Sequence, residues 1–281
     1  MARLLAQDGA RGAPAHGPGA ARGRGAVLRA GRRASCRDET PGRPVRPWRG
    51  APGPLVSAQP LLEARDLRFV RQSDAGPLKV LDGAHLAVER GEVVDVFGPS
   101  GAGKTTLLRA LALLQPGVTG ELLLDGATPA ELGERVWRTR VALLPQKPVI
   151  LKGTVRENLR MPWDLKVRDG ESAPDDDELR AALDRVSLED VSLDRDAVRL
   201  SVGQAARVAL LRVVLTAPDV LLLDEPDASL DSDSASQVAM LTAQFAASGA
   251  VVRVRHQMPD EVPARRLRLT AGHLRGVGPG A

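Results

Sequence analysis

The sequence lacks the residues that cross-link a small fold and the long apolar runs that cross a membrane. It contains a single cysteine, Cys36, among 281 residues. One cysteine excludes an intrachain disulfide framework and any metal site built from several thiolates. No uninterrupted apolar run approaches the roughly 18 residues of a membrane-spanning helix. A role in a membrane process would therefore be exercised through a partner.

Acidic residues are scarce in residues 1–58. The net positive charge of the whole chain comes from this stretch and is not shared by the rest of the chain. This stretch has eleven arginines, no lysine and three acidic residues, a net charge of +8, whereas the whole chain carries +4. Residues 59–281 therefore carry −4. Because the basic excess belongs to the N-terminal stretch, it is no argument that the rest of the chain binds nucleic acid.

Residues 1–58 are rich in Arg, Gly, Pro and Ala and have hardly any periodic apolar pattern. Such a segment buries too little apolar area to offset its ordering entropy, so we expect it to be disordered. An organelle transit peptide, a nucleic-acid-binding arm and a membrane-surface tether are alternatives, although transit peptides usually contain more serine. Translation that begins further on, near Val56, is a fourth. We favour a non-functional extension.

A glycine-rich segment between an apolar run and an amphipathic one indicates a phosphate-binding loop. The pattern G-x-x-x-x-G-K-[ST] matches at every fixed position between Gly98 and Thr105. In such a loop, backbone N–H groups and the positive end of the next helix face an anion. Lys104 would reach the β- and γ-phosphates and the Thr105 hydroxyl would bind Mg²⁺. The residues predicted to bind the nucleoside triphosphate are Gly98, Pro99, Ser100, Gly101, Ala102, Gly103, Lys104, Thr105 and Thr106.

Predicted strands alternate with predicted helices over most of residues 59–281. The strands fall at 61–70, 80–88, 93–97, 120–126, 141–144, 220–223, 251–255 and 266–269, and the helices at 107–114, 154–159, 177–186, 204–215 and 232–247. This alternation predicts a mostly parallel α/β sheet, with the first two strands forming a hairpin. Ligands bind at the carboxyl ends of such strands. We therefore expect one crevice to contain Gly98, Gln146, Asp224, Glu225 and His256.

Asp224 and Glu225 follow the fully apolar run 220–223 and fit the chemistry of phosphoryl transfer. Mg²⁺ prefers a hard oxygen ligand on a rigid element, which is the role expected for Asp224. A neighbouring carboxylate that is not a ligand can orient or deprotonate the attacking water, which is the role expected for Glu225. The alternative, an ordinary solvated loop, is disfavoured by the apolar residues that precede the pair.

Six motifs occur in an order that resembles the ATP-binding subunit of an ABC transporter. They are Walker A at 98–105, the Q-loop at Gln146, the signature motif at 200–204, Walker B at 221–226, the D-loop at 229–231 and the H-loop at His256. The resemblance covers about residues 61–272. It implies a P-loop NTPase of the ABC ATPase type within residues 59–281. Such a domain has a mostly parallel central α/β sheet, an antiparallel β subdomain and a helical subdomain, here at about 147–217.

The resemblance also implies roles for individual residues. The catalytic set would comprise Glu225, His256 and Lys104. The metal ligands would come from Thr105, Asp224 and Gln146, which also joins the ATP-binding set. In the family, two ATP molecules lie between the two subunits of a head-to-tail dimer. The residues that would meet the partner's ATP are Ser201, Val202, Gly203 and Gln204, with Asp231 in the D-loop.

The resemblance further implies ATP and Mg²⁺ as cofactors, a second copy as homodimer partner and a transmembrane permease as a separate chain. The protein would then be cytoplasmic and peripheral on the inner face of the cell membrane, and no nucleic acid is expected. Residues 154–163 resemble small bacterial exporters assigned to iron or metal export. Met161 and Trp163 would belong to the permease-docking surface, unless they are simply core of the helical subdomain.

Two other classes of function remain as alternatives. A soluble ABC ATPase acting on nucleic acid or ribosomes would carry two ATPase units or a long coiled-coil insertion, whereas only 58 positions separate Gln146 from Gln204. The negative charge of residues 59–281 also disfavours it. A regulatory nucleotide-binding subunit with low turnover is the second alternative, and Val202 is the feature in its favour.

Four residues depart from what the family or the fold would lead us to expect. Val202 replaces the first signature glycine and brings a β-branched side chain to the phosphate. Arg255 stands where the family has a small hydroxyl residue, and Arg71 falls at the place of an adenine-stacking aromatic. Asp95 lies within a strand expected to be buried on both faces, where a carboxylate destabilises the fold unless it is paired. None of the four replaces a predicted catalytic residue, so we expect a competent ATPase.

Overall fold

The computed structural model describes residues 59–73, 76–147, 149–228, 230–255 and 260–277. The disorder predicted for residues 1–58 and the role predicted for His256 lie outside the described residues. None of the helices in the described ranges is long and apolar enough to cross a membrane.

The described ranges contain nine strands and seven α-helices. The strands are β1 (Leu62–Ser73), β2 (Gly76–Val88), β3 (Val93–Phe97), β4 (Thr119–Leu124), β5 (Val141–Leu144), β6 (Val220–Asp224), β7 (Ala250–Val254), β8 (Arg265–Thr270) and β9 (His273–Gly276). The helices are α1 (Lys104–Leu111), α2 (Pro129–Leu132), α3 (Glu134–Arg140), α4 (Val155–Arg160), α5 (Asp176–Asp184), α6 (Val202–Val214) and α7 (Ser232–Ala246).

The larger sheet has the strand order β5-β6-β7-β3-β8-β9, and its first five strands run parallel. The apolar residues of β6 alternate between the two faces, with Val220 and Leu222 in one core cluster and Leu221 and Leu223 in the other. A strand buried on both faces reads as a continuous apolar run, as the sequence does here. The predicted parallel sheet is confirmed, and β9 adds an antiparallel edge.

The smaller sheet is antiparallel, with the order β2-β1-β4. The predicted hairpin between β1 and β2 is confirmed, and its register pairs Leu62 with Val88. β4 ends in a turn whose residues Asp125 and Gly126 have φ angles of 54° and 80°. Both lie in the left-handed region, which an Asp-Gly pair tolerates better than most dipeptides. This Asp-Gly pair therefore closes the strand in a turn.

Two apolar clusters hold the layers together. The first packs the antiparallel sheet, α1 and Trp137 of α3 against one face of the larger sheet. The second packs α4, α5, α6 and α7 against the other face, with Val155, Leu179 and Leu211 among its buried residues. The helices that follow Gln146 therefore share one core.

Three local features differ from the sequence-based expectations. α6 begins at Val202 rather than Gln204, because Ser201 and Gln204 form a capping box that fixes the first turn earlier. α1 begins at Lys104, directly after the phosphate loop, and ends at Leu111. Helices α2 and α3 were not expected from the pattern, since they are short and only Trp137 among their residues is buried.

The two described tryptophans allow a test of how one buried hydrogen bond supports α1. Trp137 is fully buried, and its Nε1–H donates to Leu111 O, at the end of α1, over 2.9 Å. Substitution Trp137→Phe leaves that carbonyl without the indole donor. The expected loss is about 1–3 kcal/mol of unfolding free energy, measured by urea denaturation.

Trp163→Phe is the matched control. Within the described part of the chain the Trp163 Nε1 atom is buried and has no hydrogen-bond partner, and Arg168 stacks over the ring 5.5 Å from its centroid. This variant keeps an aromatic ring on which Arg168 can stack and loses no hydrogen bond, so its loss of stability should be the smaller of the two. An equal loss in both variants would assign the effect to the indole ring rather than to the bond with Leu111.

Candidate nucleotide-binding site

The predicted phosphate loop lies between β3 and α1. Lys104 is the first residue of α1 and is buried, and its Nζ atom donates to Gly98 O over 2.8 Å and to Pro99 O over 3.1 Å. The ammonium group is therefore held at the loop's own carbonyl oxygens. An anion bound by the loop would compete with these carbonyls for the charge of Lys104.

Two glycines of the loop are required by close contacts with neighbouring strands. A Cβ atom at Gly98 would lie 2.5 Å from Leu269 O of β8. At Gly103, which has φ of 99°, it would lie 2.6 Å from Cγ1 of Val80 on β2. Any larger residue would push the loop away from the sheet. These glycines place the loop where its backbone amides can approach a ligand.

Asp224 ends β6 and is almost fully buried, with 5% of its surface exposed. Its Oδ1 atom has no hydrogen-bond partner in the described structure. A buried carboxylate oxygen without a donor is unusual in native proteins, and a bound cation would supply the missing partner. The donor chemistry fits Mg²⁺, which prefers oxygen ligands.

Few protein ligands besides Asp224 are expected for such an ion. The described ranges contain no group of three or more His, Cys, Asp or Glu side chains that could form an all-protein metal centre. Mg²⁺ commonly takes one or two protein oxygens and completes its shell with phosphate and water. The residues predicted from the sequence to contribute protein oxygens are Asp224 and Thr105, which directly follows Lys104.

Glu225 lies next to Asp224 and touches the predicted Q-loop residue. The Gln146 Nε2–H donates to Glu225 Oε2 over 2.5 Å, so residues that follow β5 and β6 meet as predicted. Glu225 has φ of 51°, a left-handed conformation that is strained for a glutamate. Its backbone N–H donates to Val254 O at the end of β7 over 3.0 Å, which holds this conformation.

The predicted signature residues form the start of α6. Ser201 caps the helix, its Oγ accepting from Gln204 N–H over 3.2 Å, and the Gln204 Oε1 accepts from Ser201 N–H over 3.1 Å. Val202 is 69% exposed, whereas Gly203 is buried. The first turn of α6 carries no acidic residue of its own, although Asp231 and Asp233 line the cleft beside it.

The predicted D-loop residue lies beside the signature residues. Asp231 caps α7, accepting from Ser234 N–H over 2.8 Å and from the Ser234 hydroxyl over 3.1 Å. These hydrogen bonds, the backbone one first, hold the pKa of Asp231 below its ordinary value. Ser201, Gln204 and Asp231 line one open cleft of about 540 Å³. In the described structure, the side chains of Ser201 and Gln204 bond to each other's backbone and the Asp231 carboxylate bonds to Ser234, and none of the three bonds to the phosphate loop of the same chain.

A buried ion pair explains Asp95. Arg253 of β7 lies opposite Asp95 of β3 in the parallel register. The Arg253 Nε–H donates to Asp95 Oδ1 over 2.7 Å and its Nη2–H donates to Oδ2 over 3.0 Å. Burial would lower the pKa of Arg253, but the hydrogen bonds and charges of Asp95 and Asp260 outweigh it and raise that pKa. The predicted need for a partner is confirmed.

Arg255 is the second departure that the structure explains. The Arg255 Nη2–H donates to Asp227 Oδ2 over 2.5 Å, and its Nη1 lies 2.9 Å from Asp260 Oδ2. Asp227 and Asp260 are the residues that the sequence did not single out. Asp260 lies in an irregular segment, where no periodicity shows which way a side chain points. The sequence did contain one signal for this set of ion pairs, namely the two charged residues Asp95 and Arg253 within otherwise apolar runs.

Comparison with known proteins agrees with this geometry. The sequence profile of the family described as ABC transporter matches residues 81–228. The chain belongs to the ABC transporter family. Its fold is that of an ABC ATPase domain, and the family assignment covers both the phosphate loop and Walker B.

Individual relatives differ in what their names assign to them. The chain is 40% identical to Protein STAR1 of Oryza sativa subsp. japonica over 189 residues, 67% of this chain and 53% of that protein. It is 33% identical to the Probable iron export ATP-binding protein FetA of Escherichia coli K12, covering 64% of this chain and 76% of that one. The chain thus spans about half of the rice protein and three quarters of the bacterial one.

A solved structure supports the fold alone. A bacterial Atm1-family ABC exporter with ATP bound superposes with a TM-score of 0.66 at 24% identity, over 80% of this chain and 40% of that chain.

Other relatives combine ATP-binding and permease in one protein, such as the mycobactin import protein IrtB of Mycolicibacterium thermoresistibile, at 36% identity over 67% of this chain and 32% of that protein.

The contact between α6 and α7 yields a prediction for Gly203. A Cβ at this position would overlap the Ser234 Oγ and lie 3.0 Å from the Ser234 Cβ. The hydroxyl could rotate only by losing its bond to Asp231, and the Cβ cannot rotate away. Overpacking of about 1–3 kcal/mol should outweigh the helix-propensity gain of about 1 kcal/mol. We therefore expect Gly203→Ala to lower the unfolding free energy.

The neighbouring residue and a double variant provide the controls. Val202→Ala, at an exposed position, should change the unfolding free energy by less than about 0.5 kcal/mol. Ser234→Gly removes both clashing atoms, so the double variant Gly203→Ala/Ser234→Gly should lose less than the sum of the two single variants. Strict additivity would contradict the proposed clash.

Proposed function

We propose that this chain is the ATP-binding and ATP-hydrolysing subunit of an ABC transporter and that it energises a separate membrane permease. The observation that carries this proposal is the contact of Gln146 with Glu225, beside the unpartnered Asp224 oxygen and at the strand ends that also hold the phosphate loop. Residues for binding phosphate, holding a cation and activating water therefore lie at the carboxyl ends of strands β3, β5 and β6 of one parallel sheet.

The chain's own residues supply the steps of hydrolysis. Lys104 would leave the carbonyls of Gly98 and Pro99 for the β- and γ-phosphates. Thr105, Asp224 and Gln146 would hold Mg²⁺, which when bound neutralises charge on the phosphate oxygens. Glu225 would accept a proton from the attacking water, its carboxylate oriented by Gln146. His256 is proposed as the γ-phosphate contact on the motif order alone.

A homodimer would complete the site. Ser201 and Val202 are exposed at the positive end of α6, and Gly203 and Gln204 continue the same turn. The backbone N–H groups at the start of a helix are suited to receive phosphate. We propose that it receives the ATP held by a second copy, and that Asp231 reaches across the same interface.

The permease-docking surface is proposed around the helices that follow Gln146. Met161 and Trp163, expected there from the sequence, are each partly buried. More exposed apolar side chains of this region are Val149, Leu151, Leu165, Val167 and Val198. A groove of about 430 Å³ is lined by Val198, by residues 152–154 and by two aspartates. This combination suits a partly apolar segment of a membrane protein at the inner face of the cell membrane.

The transported substrate is proposed only at the level of a class. Iron or metal export is supported by the similarity to the Escherichia coli protein, whose name gives iron export. Other relatives are named for import, among them the Hemin import ATP-binding protein HmuV of Nocardia farcinica, 39% identical over 69% of this chain. A gene for a multi-span membrane protein beside that of this chain would support the transporter function and identify the permease.

Substitution Glu225→Gln tests the catalytic assignment. It keeps the size of the side chain and removes the proton acceptor, so ATP hydrolysis should fall by about a hundredfold or more. ATP–Mg²⁺ binding should persist, and ATP should trap the dimer in size-exclusion chromatography. Glu189→Gln, at an exposed position, is the control and should hydrolyse ATP at the parent rate. Unchanged hydrolysis in Glu225→Gln would remove Glu225 from the mechanism.

Substitution Val149→Asp tests the docking surface. Val149 is 63% exposed, so a carboxylate there should leave folding and the ATPase rate of the isolated chain unchanged. The fraction of the chain that sediments with membranes of its own cell should fall. Met240→Asp on α7, at a position 49% exposed, is the matched control and should sediment like the parent. Equal loss in both variants would place docking elsewhere.

A further inference from the structure

Five charged side chains form a continuous set of ion pairs at the carboxyl ends of the central strands. We call this set the charge bridge; its members are Asp95, Arg253, Asp260, Arg255 and Asp227. Asp95, Arg253 and Arg255 are almost fully buried. The proposed mechanism of hydrolysis uses none of the five.

Each arginine of the charge bridge spans two carboxylates. Arg253 holds Asp95 with two hydrogen bonds and Asp260 with two more, the latter of 2.8 and 3.2 Å. Arg255 holds Asp227 over 2.5 Å and lies 2.9 Å from the same Asp260. The contacts of Arg253 are bidentate, whereas Arg255 reaches each carboxylate through one nitrogen and its Nη1 lies close to Asp260 without hydrogen-bond geometry. A planar guanidinium can reach two carboxylates through separate nitrogens, whereas a lysine has a single ammonium nitrogen.

One end of the charge bridge lies just before the phosphate loop. Asp95 belongs to β3 and precedes Gly98 by three residues. Backbone hydrogen bonds reinforce the link, since the Arg255 N–H donates to Val96 O over 3.2 Å. The charge bridge is thereby fixed to the strand that leads into the loop.

The other end holds the turn that carries Glu225. The Ala228 N–H donates to Glu225 O over 3.1 Å, which closes a turn with Asp227 inside it. Arg255 grips this turn through the carboxylate of Asp227. Glu225 sits at the start of the same turn in a strained conformation. Movement of Asp227 would therefore move the carboxylate proposed to activate water.

Stability alone is a poor reason for such a network. Removing charges from water is unfavourable, and apolar residues of similar volume often stabilise a core at least as well as buried ion pairs. What an ion-pair network adds is a defined geometry, because each guanidinium fixes the direction of two carboxylates. The positions that it fixes here are the ends of β3 and β7 and the turn after β6.

We infer that the charge bridge positions Glu225 relative to the phosphate loop, with Arg255 and Asp227 as positioning residues for ATP hydrolysis. The inference rests on the proposed ATPase function. The charge bridge contacts neither the loop glycines nor Lys104 in the described structure, so nucleotide binding should depend on it far less than turnover. A misplacement of about 1 Å at a reacting group can lower a rate by a hundredfold.

The experiment compares Asp227→Asn with Asp219→Asn. The Arg140 Nε–H donates to Asp219 Oδ2 over 2.5 Å, and this partly buried pair precedes β6 at its opposite end. Both substitutions keep side-chain size and remove one carboxylate from an arginine. Measurements are kcat and KM for ATP–Mg²⁺, the Kd of a nonhydrolysable ATP analogue, and Tm.

Asp227→Asn should lower kcat by about tenfold to a hundredfold and change KM and Kd by less than about threefold. Asp219→Asn should lower Tm but keep the parent kcat. Asp227→Glu, which keeps the charge, should recover part of the lost kcat. Arg255→Lys, which keeps the charge but not the fork, should lower kcat as Asp227→Asn does.

Two results would overturn the inference. One is a parent kcat in Asp227→Asn, with or without a lower Tm, which would make the charge bridge merely structural. The other is a rise in KM and Kd that matches the fall in kcat/KM, which would make it a binding element. Failure of the proposed ATPase function would be recognised separately. In that case the parent protein and Glu225→Gln would hydrolyse ATP at the same rate.

Discussion

The parallel hydrogen bonding of β5, β6, β7 and β3 is the constraint on which the candidate site depends. Parallel strands place their carboxyl ends at one edge of the sheet, and the residues that leave those ends come from distant parts of the sequence. Gln146 meets Glu225 across 79 positions of sequence for this reason. The Glu225 N–H, bonded to Val254 O, then fixes how the chain leaves β6.

Two buried aspartates in this sheet have opposite surroundings, and the contrast is informative about function. Asp95 is paired with a guanidinium group through two hydrogen bonds, whereas the Asp224 Oδ1 has no partner in the described structure. Leaving a buried polar atom unpaired costs about 1–3 kcal/mol, and more for a charge. The fold supplies hydrogen-bond donors for the Asp95 carboxylate but none, in the described structure, for the Asp224 Oδ1 atom. An oxygen left open at the ligand edge of the sheet is suited to a cation brought in with a nucleotide.

The buried strands of the sheet and the phosphate loop could be predicted from the sequence, because each depends on a local pattern of residues. Apolar runs such as 220–223 give the buried strands, and the glycines of the loop stand at fixed spacing. The start of α6 could also have been placed correctly from Ser201 and Gln204, which have the spacing of a capping box.

The charge bridge could not be predicted in the same way. Asp95 and Arg253 are 158 positions apart, and their pairing follows from a strand order that no local pattern specifies. Asp260 lies outside any regular element, so neither its direction nor its two arginine partners could be read from periodicity. The sequence could indicate that Asp95 needed a partner but not which residue would supply it.

The two consecutive signature positions show where the fold itself restricts this motif. Gly203 faces Ser234, where a side chain would clash, so glycine is required by packing within one chain. Val202 is 69% exposed and meets no such restriction, which is why a β-branched residue is accommodated there. Any effect of Val202 on turnover would therefore come from its contact with another molecule. In the proposed dimer, that molecule is the ATP bound by the second copy. In the proposed dimer, a departure at position 202 would alter a contact between subunits, whereas one at position 203 would alter packing within the subunit.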